Sequence, residues 1–246
     1  MIRFATSADQ EQLKKLWQVG FSDHENYIDR FLMTIGRDER CLVWEEDGKI
    51  VSMLFILPAK TFIHGDLRRI NYIYACATLP DFRGKGLMKQ MLEYAFHIAQ
   101  QNLVFALFLI PANPTLSSYY KSLGFQNGFL KPVFKTNSTK FAKAKPLLPE
   151  AITKIIDIRN LCLECELNIR WPEDFMTFAL KDLQLDGGSV WMENDSYTVF
   201  TNDGQVVESM SLNELTYDNS EFGLIRFCEP YNLSPETVPY INWGLD

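Results

Sequence analysis

No stretch of this 246-residue chain approaches the roughly 20 consecutive apolar residues that a membrane-crossing helix requires. Its N-terminus, MIRFATSADQEQ, lacks the charged, apolar and small-residue succession of a signal peptide. Five cysteines, odd in number and widely scattered, do not make a disulfide framework and suit a reducing compartment. A cytoplasmic protein with no membrane partner is therefore expected. Positive charge is in deficit, with a net charge of −7, and general nucleic-acid binding wants the opposite. Metal chemistry has little support. His24, His64 and His97 have no partners at interpretable spacing, and Cys162-x-x-Cys165 is a lone pair without a second.

Against these absences, 47% of the residues are apolar, enough for a sizeable core in one or two domains. The charge is unevenly spread. Residues 1–136 carry 16 basic and 13 acidic side chains, and residues 137–246 carry 8 and 18. The first half is thus suited to an anionic ligand, while the acidic second half either faces cations or is simply solvated.

Periodicity predicts a strand at 2–6, then two helices. In the first, Leu13, Leu16 and Trp17 fall at helical spacing. In the second, Tyr27, Ile28, Phe31, Leu32 and Ile35 share a face. Two strands follow around Asp47-Gly48, a strong hairpin dipeptide, and a third runs over about 70–79 after a turn at Gly65-Asp66. Leu87, Met91 and Ala95, with Met88, Leu92, Phe96 and Ala99 beside them, mark an amphipathic helix. LVFALFLIP reads as a central strand, TLSSYYKSLGF as a short helix ending at Gly124, and QNGFLKPVFK as a closing strand. The order to residue 136 is β-α-α-β-β-β-α-β-α-β.

Between the third of those strands and the amphipathic helix lies TLPDFRGKGLMKQML, residues 78–92. Its helix opens on Gly84 and Gly86 rather than on a Ser, Thr, Asp or Asn cap. A helix start with little side-chain bulk leaves backbone N–H groups free, and the helix dipole adds positive potential there. The N–H groups of residues 84–88 can therefore coordinate a phosphate, with Arg83 and Lys85 supplying charge. A Walker loop is excluded because Leu87, not Ser or Thr, follows Gly86. A dinucleotide fold is excluded because the turn does not follow a first strand.

Element order and two motifs together resemble the GCN5-related N-acetyltransferase (GNAT) superfamily over roughly residues 2–136. The family's coenzyme element is Arg or Gln, two residues, Gly, one residue, then Gly or Ala, at a strand-to-helix junction. Here it reads Arg83-Gly84-Lys85-Gly86-Leu87-Met88, with Met88 in place of the usual small residue. The second motif is Asn113 followed by Tyr120-Lys121-Ser122-Leu123-Gly124-Phe125.

The resemblance implies the α/β (α+β) GNAT fold, a mixed, mostly antiparallel central sheet flanked by helices, and acetyl-CoA as cosubstrate. It implies pyrophosphate binding at Arg83, Gly84, Lys85, Gly86, Leu87 and Met88, and polarisation of the thioester carbonyl by backbone N–H groups of Ala77, Thr78 and Leu79. Tyr120 occupies the family position of the acid that protonates the departing thiolate. A phenol of pKa about 10 can serve a thiol of pKa about 8.5 at neutral pH. Asn113 is either a hydrogen-bond partner of the pantetheine arm or a turn residue before Pro114. Glu25 lies in the region that forms the acceptor wall in relatives, and Tyr72 and Tyr74 share one strand face. None of these stands out as the general base.

Residues 137–149 read as a linker, interrupted by lysines and prolines. Residues 150–246 then form a second unit. Its segment TVFTNDGQVVESM (198–210) aligns without gaps on LVWEEDGKIVSML (42–54). The second unit is therefore expected to be a truncated, degenerate copy of the same fold without a coenzyme turn. Two-unit acetyltransferases of this kind include the enhanced intracellular survival group. The expected activity is transfer of an acetyl group to a primary amine of a small-molecule or peptide acceptor. The acidic second half allows a cationic acceptor, and association of identical chains is left open. The alternative is a non-catalytic acyl-CoA-binding sensor or interaction module.

Overall fold

A computed structural model describes residues 1–134, 137–163, 167–211 and 219–231. The first half follows the expected element order. It comprises β1 (Ile2–Phe4), α1 (Gln10–Gly20), α2 (Glu25–Met33), β2 (Cys41–Glu46), β3 (Lys49–Ile63), β4 (Asp66–Thr78), α3 (Leu87–Gln101), β5 (Ala106–Leu109), α4 (Pro114–Ser122) and β6 (Gln126–Val133). The Asp47-Gly48 hairpin closes β2 on β3, with both turn residues at positive φ as a tight two-residue turn requires. The next turn is centred one residue earlier than expected, on His64 and Gly65, both also left-handed. His64 is thus a turn residue.

The second half adds α5 (Ser138–Phe141), β7 (Lys145–Pro146), α6 (Pro149–Cys162), α7 (Glu173–Leu185), β8 (Ser189–Glu193), β9 (Ser196–Phe200), β10 (Val206–Ser211) and β11 (Asn219–Phe227). The stretch read as a linker therefore holds a helical turn and a short strand. Cys165 lies outside the described residues.

Two sheets result. One is seven-stranded in the order β1-β2-β3-β4-β5-β11-β6, and the other is a four-stranded sheet in the order β10-β9-β8-β7. The large sheet is mostly antiparallel, with β4 and β5 as a parallel pair and β11 antiparallel to β5. All four residues of β5 are buried, as a strand with neighbours on both sides should be. Leu13, Leu16 and Trp17 of α1 and Ile28, Phe31 and Leu32 of α2 are buried. The amphipathic face of α3 (Met91, Leu92, Ala95 and Ala99) packs with Leu42, Leu54, Ile73, Leu107 and Leu109.

The chain divides into compact units in a way that sequence order does not suggest. The first comprises Met1–Ala59, Arg69–Gln126 and Leu224–Asn232, and the second comprises Lys60–Arg68, Asn127–Gly223 and Leu233–Asp246. In this division a C-terminal segment, Leu224–Asn232, returns to the first unit. The physical reason is the ladder on β5, where Leu224 pairs with Leu109, Ile225 with Phe108, Arg226 with Leu107 and Phe227 with Ala106. A central strand needs partners for its backbone on both edges, and β11 supplies one of them. Arg226 then reaches α3, forming two hydrogen bonds to Glu93 at 2.9 and 3.2 Å while its guanidinium lies 3.8 Å from the Phe96 ring centre.

The second unit has its own core. Arg159 of α6 and Glu208 of β10 form a fully buried pair at 3.3 Å. Tyr197 donates its hydroxyl to the same carboxylate, and Arg159 donates to the carbonyl of Ile169 at 3.3 Å. Trp171 and Phe175 stack with ring centres 4.1 Å apart. The aligned segments 42–54 and 198–210 both form antiparallel hairpins. Each slips register at the equivalent place, skipping Val51 in the first and Val207 in the second.

If β11 is a structural strand of the first unit, its removal should be worse than a point defect. Leu224→Ala, at a fully buried position, should cost about 2–5 kcal/mol in urea denaturation. A chain ending before Asn219 should show no cooperative near-UV transition at all. Cooperative unfolding of that shortened chain would show that β5 does not need β11.

Candidate active site

Thr78 ends β4, and the turn to α3 passes through Arg83, whose Nε donates to the Thr78 carbonyl at 2.9 Å. Gly84 and Gly86 sit at φ +74° and +76°. A Cβ at either would meet nothing within 4 Å, so the glycines are there for backbone conformation and open approach rather than for want of room. Gly86 is the N-cap of α3 and provides no side-chain cap. The Gln90 N–H bonds back to the Gly86 carbonyl at 3.1 Å. The N–H groups of Leu87, Met88 and Lys89 precede that first helical bond and have no intrahelical acceptor. Arg83 and Lys85 are exposed, and the Lys85 ammonium lies 4.6 Å from the Phe82 ring centre. The turn thus holds open amides, positive potential and two cations, which suits a phosphate dianion.

The strand that feeds this turn is irregular. Parallel pairing of β4 with β5 includes Ile70 with Ala106, Asn71 with Leu107 and Tyr72 with Phe108, and β4 runs on to Thr78 beyond it. Ala75 takes φ +48°, an uncommon conformation for a residue with a side chain. In an unbroken strand Tyr74 and Cys76 would share a face. Instead, Tyr74 packs with Trp17 and Phe31 and shares a 3.2 Å hydroxyl contact with Tyr27, whereas Cys76 joins the cluster of Met91, Leu92 and Tyr120. The left-handed residue has switched the side on which Cys76 emerges.

Of the three amides expected to face a thioester carbonyl, Leu79 N–H is held by the Val51 carbonyl at 2.9 Å. Successive amides of a strand face opposite neighbours, so Thr78 N–H is directed away from β3. Ser52 of β3 steadies this end of β4, donating to the Ala77 carbonyl at 2.9 Å and sharing a 2.8 Å contact with the Thr78 hydroxyl.

Tyr120 lies on α4. Asn113 caps that helix, its side-chain oxygen accepting from Leu116 N–H at 2.9 Å. Of the two readings of Asn113, the geometry displays the local one. The helix ends in a left-handed Gly124 at φ +85°, with the Leu123 and Phe125 amides both bonded to the Tyr120 carbonyl. A Cβ on Gly124 would sit 3.3 Å from Nε of Arg226. The Tyr120 ring is buried against Phe125, in the cluster against which Cys76 also packs. Burial, then the neighbouring thiol, holds the Tyr120 phenol well above the ordinary tyrosine value. Burial also pushes the Cys76 thiol up to about 12, with the Tyr120 hydroxyl pulling the other way. Tyr119 is only partly buried and is raised more simply, by burial and then by Cys76.

The residues considered for the acceptor do not converge. Tyr72 and Tyr74 share a face as expected, stacking with ring centres 5.8 Å apart, but both are buried, and Tyr72 lies against Phe108. Glu25 is exposed in the first turn of α2 and pairs with Lys14 at 3.1 Å. Sequence reading had missed Cys76, Ala75 and Ser52. The only local hint was the run of small residues in YACAT before the turn. Among the described residues no three His, Cys, Asp or Glu side chains are grouped to hold a metal, and no helix is long and apolar enough to cross a membrane.

The model of the acetyltransferase (GNAT) domain family matches residues 1–128. The chain belongs to this GNAT family. Solved GNAT structures agree with that fold across most of the chain. A GCN5-related N-acetyltransferase from Kribbella flavida superposes with a TM-score of 0.72 at 13% identity, covering 92% of this chain and 70% of that one. One from Anabaena variabilis gives 0.71 at 13% identity, covering 93% and 73%. Eis1 from Mycobacterium abscessus gives 0.63 at 13% identity, covering 81% of this chain and 53% of Eis1. No curated protein sequence matches the chain. The GNAT family uses acetyl-CoA in general, and the open turn at Gly84–Met88 fits that cosubstrate's pyrophosphate.

Because Gly86 is left-handed with open space around it, Gly86→Ala should lose stability through backbone strain alone, by about 1–2 kcal/mol. Chemical denaturation would measure this. A larger loss would show a contact that the geometry lacks.

Proposed function

We propose that the chain is an acetyl-CoA-dependent N-acetyltransferase that acetylates a primary amine of a small molecule or peptide. One observation carries the reading. The strand that runs into an open, uncapped helix start also places Cys76, two residues before its end, against the packed cluster that holds the buried Tyr120. Phosphate binding and acid chemistry thereby occupy one short segment of structure.

In the proposed reaction the neutral amine attacks the thioester carbonyl, and its nitrogen loses a proton to solvent. Thr78 N–H faces the oxygen on which charge develops. As the C–S bond breaks, Tyr120 gives its hydroxyl proton to the thiolate and regains one from solvent. The raised phenol stays protonated through neutral and mildly alkaline pH, so the donor is always loaded. Arg83, Gly84, Lys85, Gly86, Leu87 and Met88 belong to coenzyme binding in this reading, with Ala77 and Leu79 as neighbouring backbone and Asn113 as the cap of the helix that carries Tyr120.

The net charge of −7 favours encounter with a cationic acceptor. Kinship with two-unit acetyltransferases such as Eis1 is part of the proposal, supported by the extent of the fold match. The first experiment is thiol release from acetyl-CoA across a panel of amines at low and high ionic strength. Release that depends on an amine supports the enzyme, and binding without release supports the non-catalytic module.

Coenzyme affinity is tested by Arg83→Glu combined with Gly86→Asp, which turns two carboxylates toward the pyrophosphate. Acetyl-CoA binding by calorimetry should fall sharply in a protein still folded by circular dichroism, and unchanged affinity would remove the phosphate site.

Tyr120→Phe should lower kcat by roughly 10²–10⁴-fold with little change in acetyl-CoA affinity. Tyr119→Phe should be milder. Since burial disfavours the tyrosinate, the wild-type rate should show no loss from Tyr120 ionisation up to about pH 10, the ordinary tyrosine value. A descending limb below that pH that disappears in Tyr120→Phe would contradict the raised value.

A further inference from the structure

Ser52 is polar yet fully buried, in a stretch of β3 where Val51, Met53, Leu54 and Phe55 are buried as completely. A hydroxyl in such surroundings destabilises unless it is hydrogen-bonded, and both of its bonds go to one place on β4. Its Oγ donates to the Ala77 carbonyl at 2.9 Å and lies 2.8 Å from the Thr78 hydroxyl. A serine hydroxyl has one proton and two acceptor sites. With that proton committed to Ala77, the Thr78 hydroxyl is the donor of the second bond. The Thr78 carbonyl accepts from Arg83 Nε at 2.9 Å, and the Leu79 N–H is held by the Val51 carbonyl at 2.9 Å. The peptides on both sides of Thr78 are thereby fixed, one from β3 alone and the other from β3 and the turn.

We propose that Ser52 is a positioning residue for the Thr78 N–H, setting the direction and the strength of a backbone donor to the thioester oxygen of acetyl-CoA. The inference rests on the acetyltransferase reading given above. A trans peptide is planar, so its C=O and N–H point in opposite directions. Ser52 anchors the Ala77 carbonyl on the β3 side, and this aims the N–H of the same peptide, that of Thr78, away from β3. The anchor also polarises the peptide. A carbonyl that accepts a hydrogen bond leaves its own N–H more positive and therefore a better donor. A donor stabilises developing charge most when it is already aimed and need not reorient as the reaction proceeds. Ser52 supplies that restraint through the peptide and, being fully buried, does not itself meet the substrate. Neither Ser52 nor Thr78 gains or loses a proton in the cycle.

The test uses the full chain, with acetyl-CoA carrying carbon-13 at the thioester carbonyl as the probe. Isotope-edited infrared difference spectra follow that carbonyl in the bound, unreacted coenzyme. In the wild type its stretch should lie below the value in solution, because a hydrogen bond to the oxygen weakens the C=O bond. Ser52→Ala should lose most of that shift, and Ser52→Thr, which keeps the hydroxyl, should retain it. Thr78→Val keeps the side-chain shape and removes the second bond to Ser52. It should move the band part of the way, and it carries the test if Ser52→Ala does not fold. A serine that only stabilised the sheet would lower the denaturation midpoint and leave the band of the folded, saturated protein in place.

Turnover gives the second readout. Ser52→Ala should lower kcat roughly tenfold, the scale of one buried hydrogen bond. Its KM for acetyl-CoA should stay close to the wild-type value, because the turn at Gly84–Met88 is untouched, and Ser52→Thr should recover most of the rate. A carbonyl band that is shifted in the wild type and equally shifted in Ser52→Ala and Thr78→Val overturns the role of Ser52, as does an unchanged kcat in Ser52→Ala. Either result leaves the acetyltransferase reading standing. A bound thioester with no shift in the wild type removes the Thr78 donor and the role of Ser52 with it, whether or not amines release thiol. A band that responds to Ser52 in a protein that releases no thiol with any amine overturns the acetyltransferase reading and leaves Ser52 as a determinant of how the thioester is held.

Discussion

The φ of +48° at Ala75 interrupts the alternation of β4, and much of the site depends on that interruption. On one side of the break, Tyr72 and Tyr74 build an aromatic wall with Trp17, Phe31 and Phe108. On the other, Cys76 faces α4. Beyond it, Ser52 and Val51 of β3 hold Ala77, Thr78 and Leu79. One strand therefore serves two different surroundings, apolar packing on the α1–α2 side and polar chemistry near its end. A regular strand could not do this, because side chains two residues apart would be committed to the same face.

The opening of α3 depends on a complementary economy. Most helices satisfy their first amides with a side-chain cap. Here Gly86 offers none, and its left-handed conformation turns the chain into the helix without occupying the space in front of it. What a cap would contribute to stability is left available to a ligand. Arg83 is restrained by the Thr78 carbonyl, so one of the two cations is fixed to the strand while Lys85 lies over an aromatic ring.

Local features of this molecule were legible in its sequence, and non-local ones were not. The Asp47-Gly48 turn, the buried run of β5, the amphipathic face of α3 and the glycine turn each announce themselves within about fifteen residues, and each occurs where expected. The register of Tyr120 against Gly124 was also readable, because the helix and its C-terminal glycine are contiguous. The packing of Cys76 against the cluster that holds Tyr120 was not, since a strict two-residue period assigns Cys76 to the face of Tyr74. No residue type at position 75 signals a left-handed break, alanine least of all. Likewise the segment 224–227 reads as an ordinary strand of the second half. Only the open edge of β5, invisible in sequence, assigns it to the first sheet. The repeated hairpin is an intermediate case. Alignment found the pair, but the shared register slip at Val51 and Val207 appears only in the ladders.

The late return of β11 has a bearing on how the protein is made. During synthesis the ribosome releases β1 to β6 first, yet the edge of β5 stays unpaired until residues 224–227 have emerged, about ninety residues after β6. Loop closure over such a separation is slow relative to local helix and hairpin formation. For that interval the nascent first unit exposes a hydrophobic strand edge of the kind that chaperones bind and that promotes aggregation. Elongation rate and chaperone supply should accordingly govern the soluble yield of this chain more strongly than its final stability does.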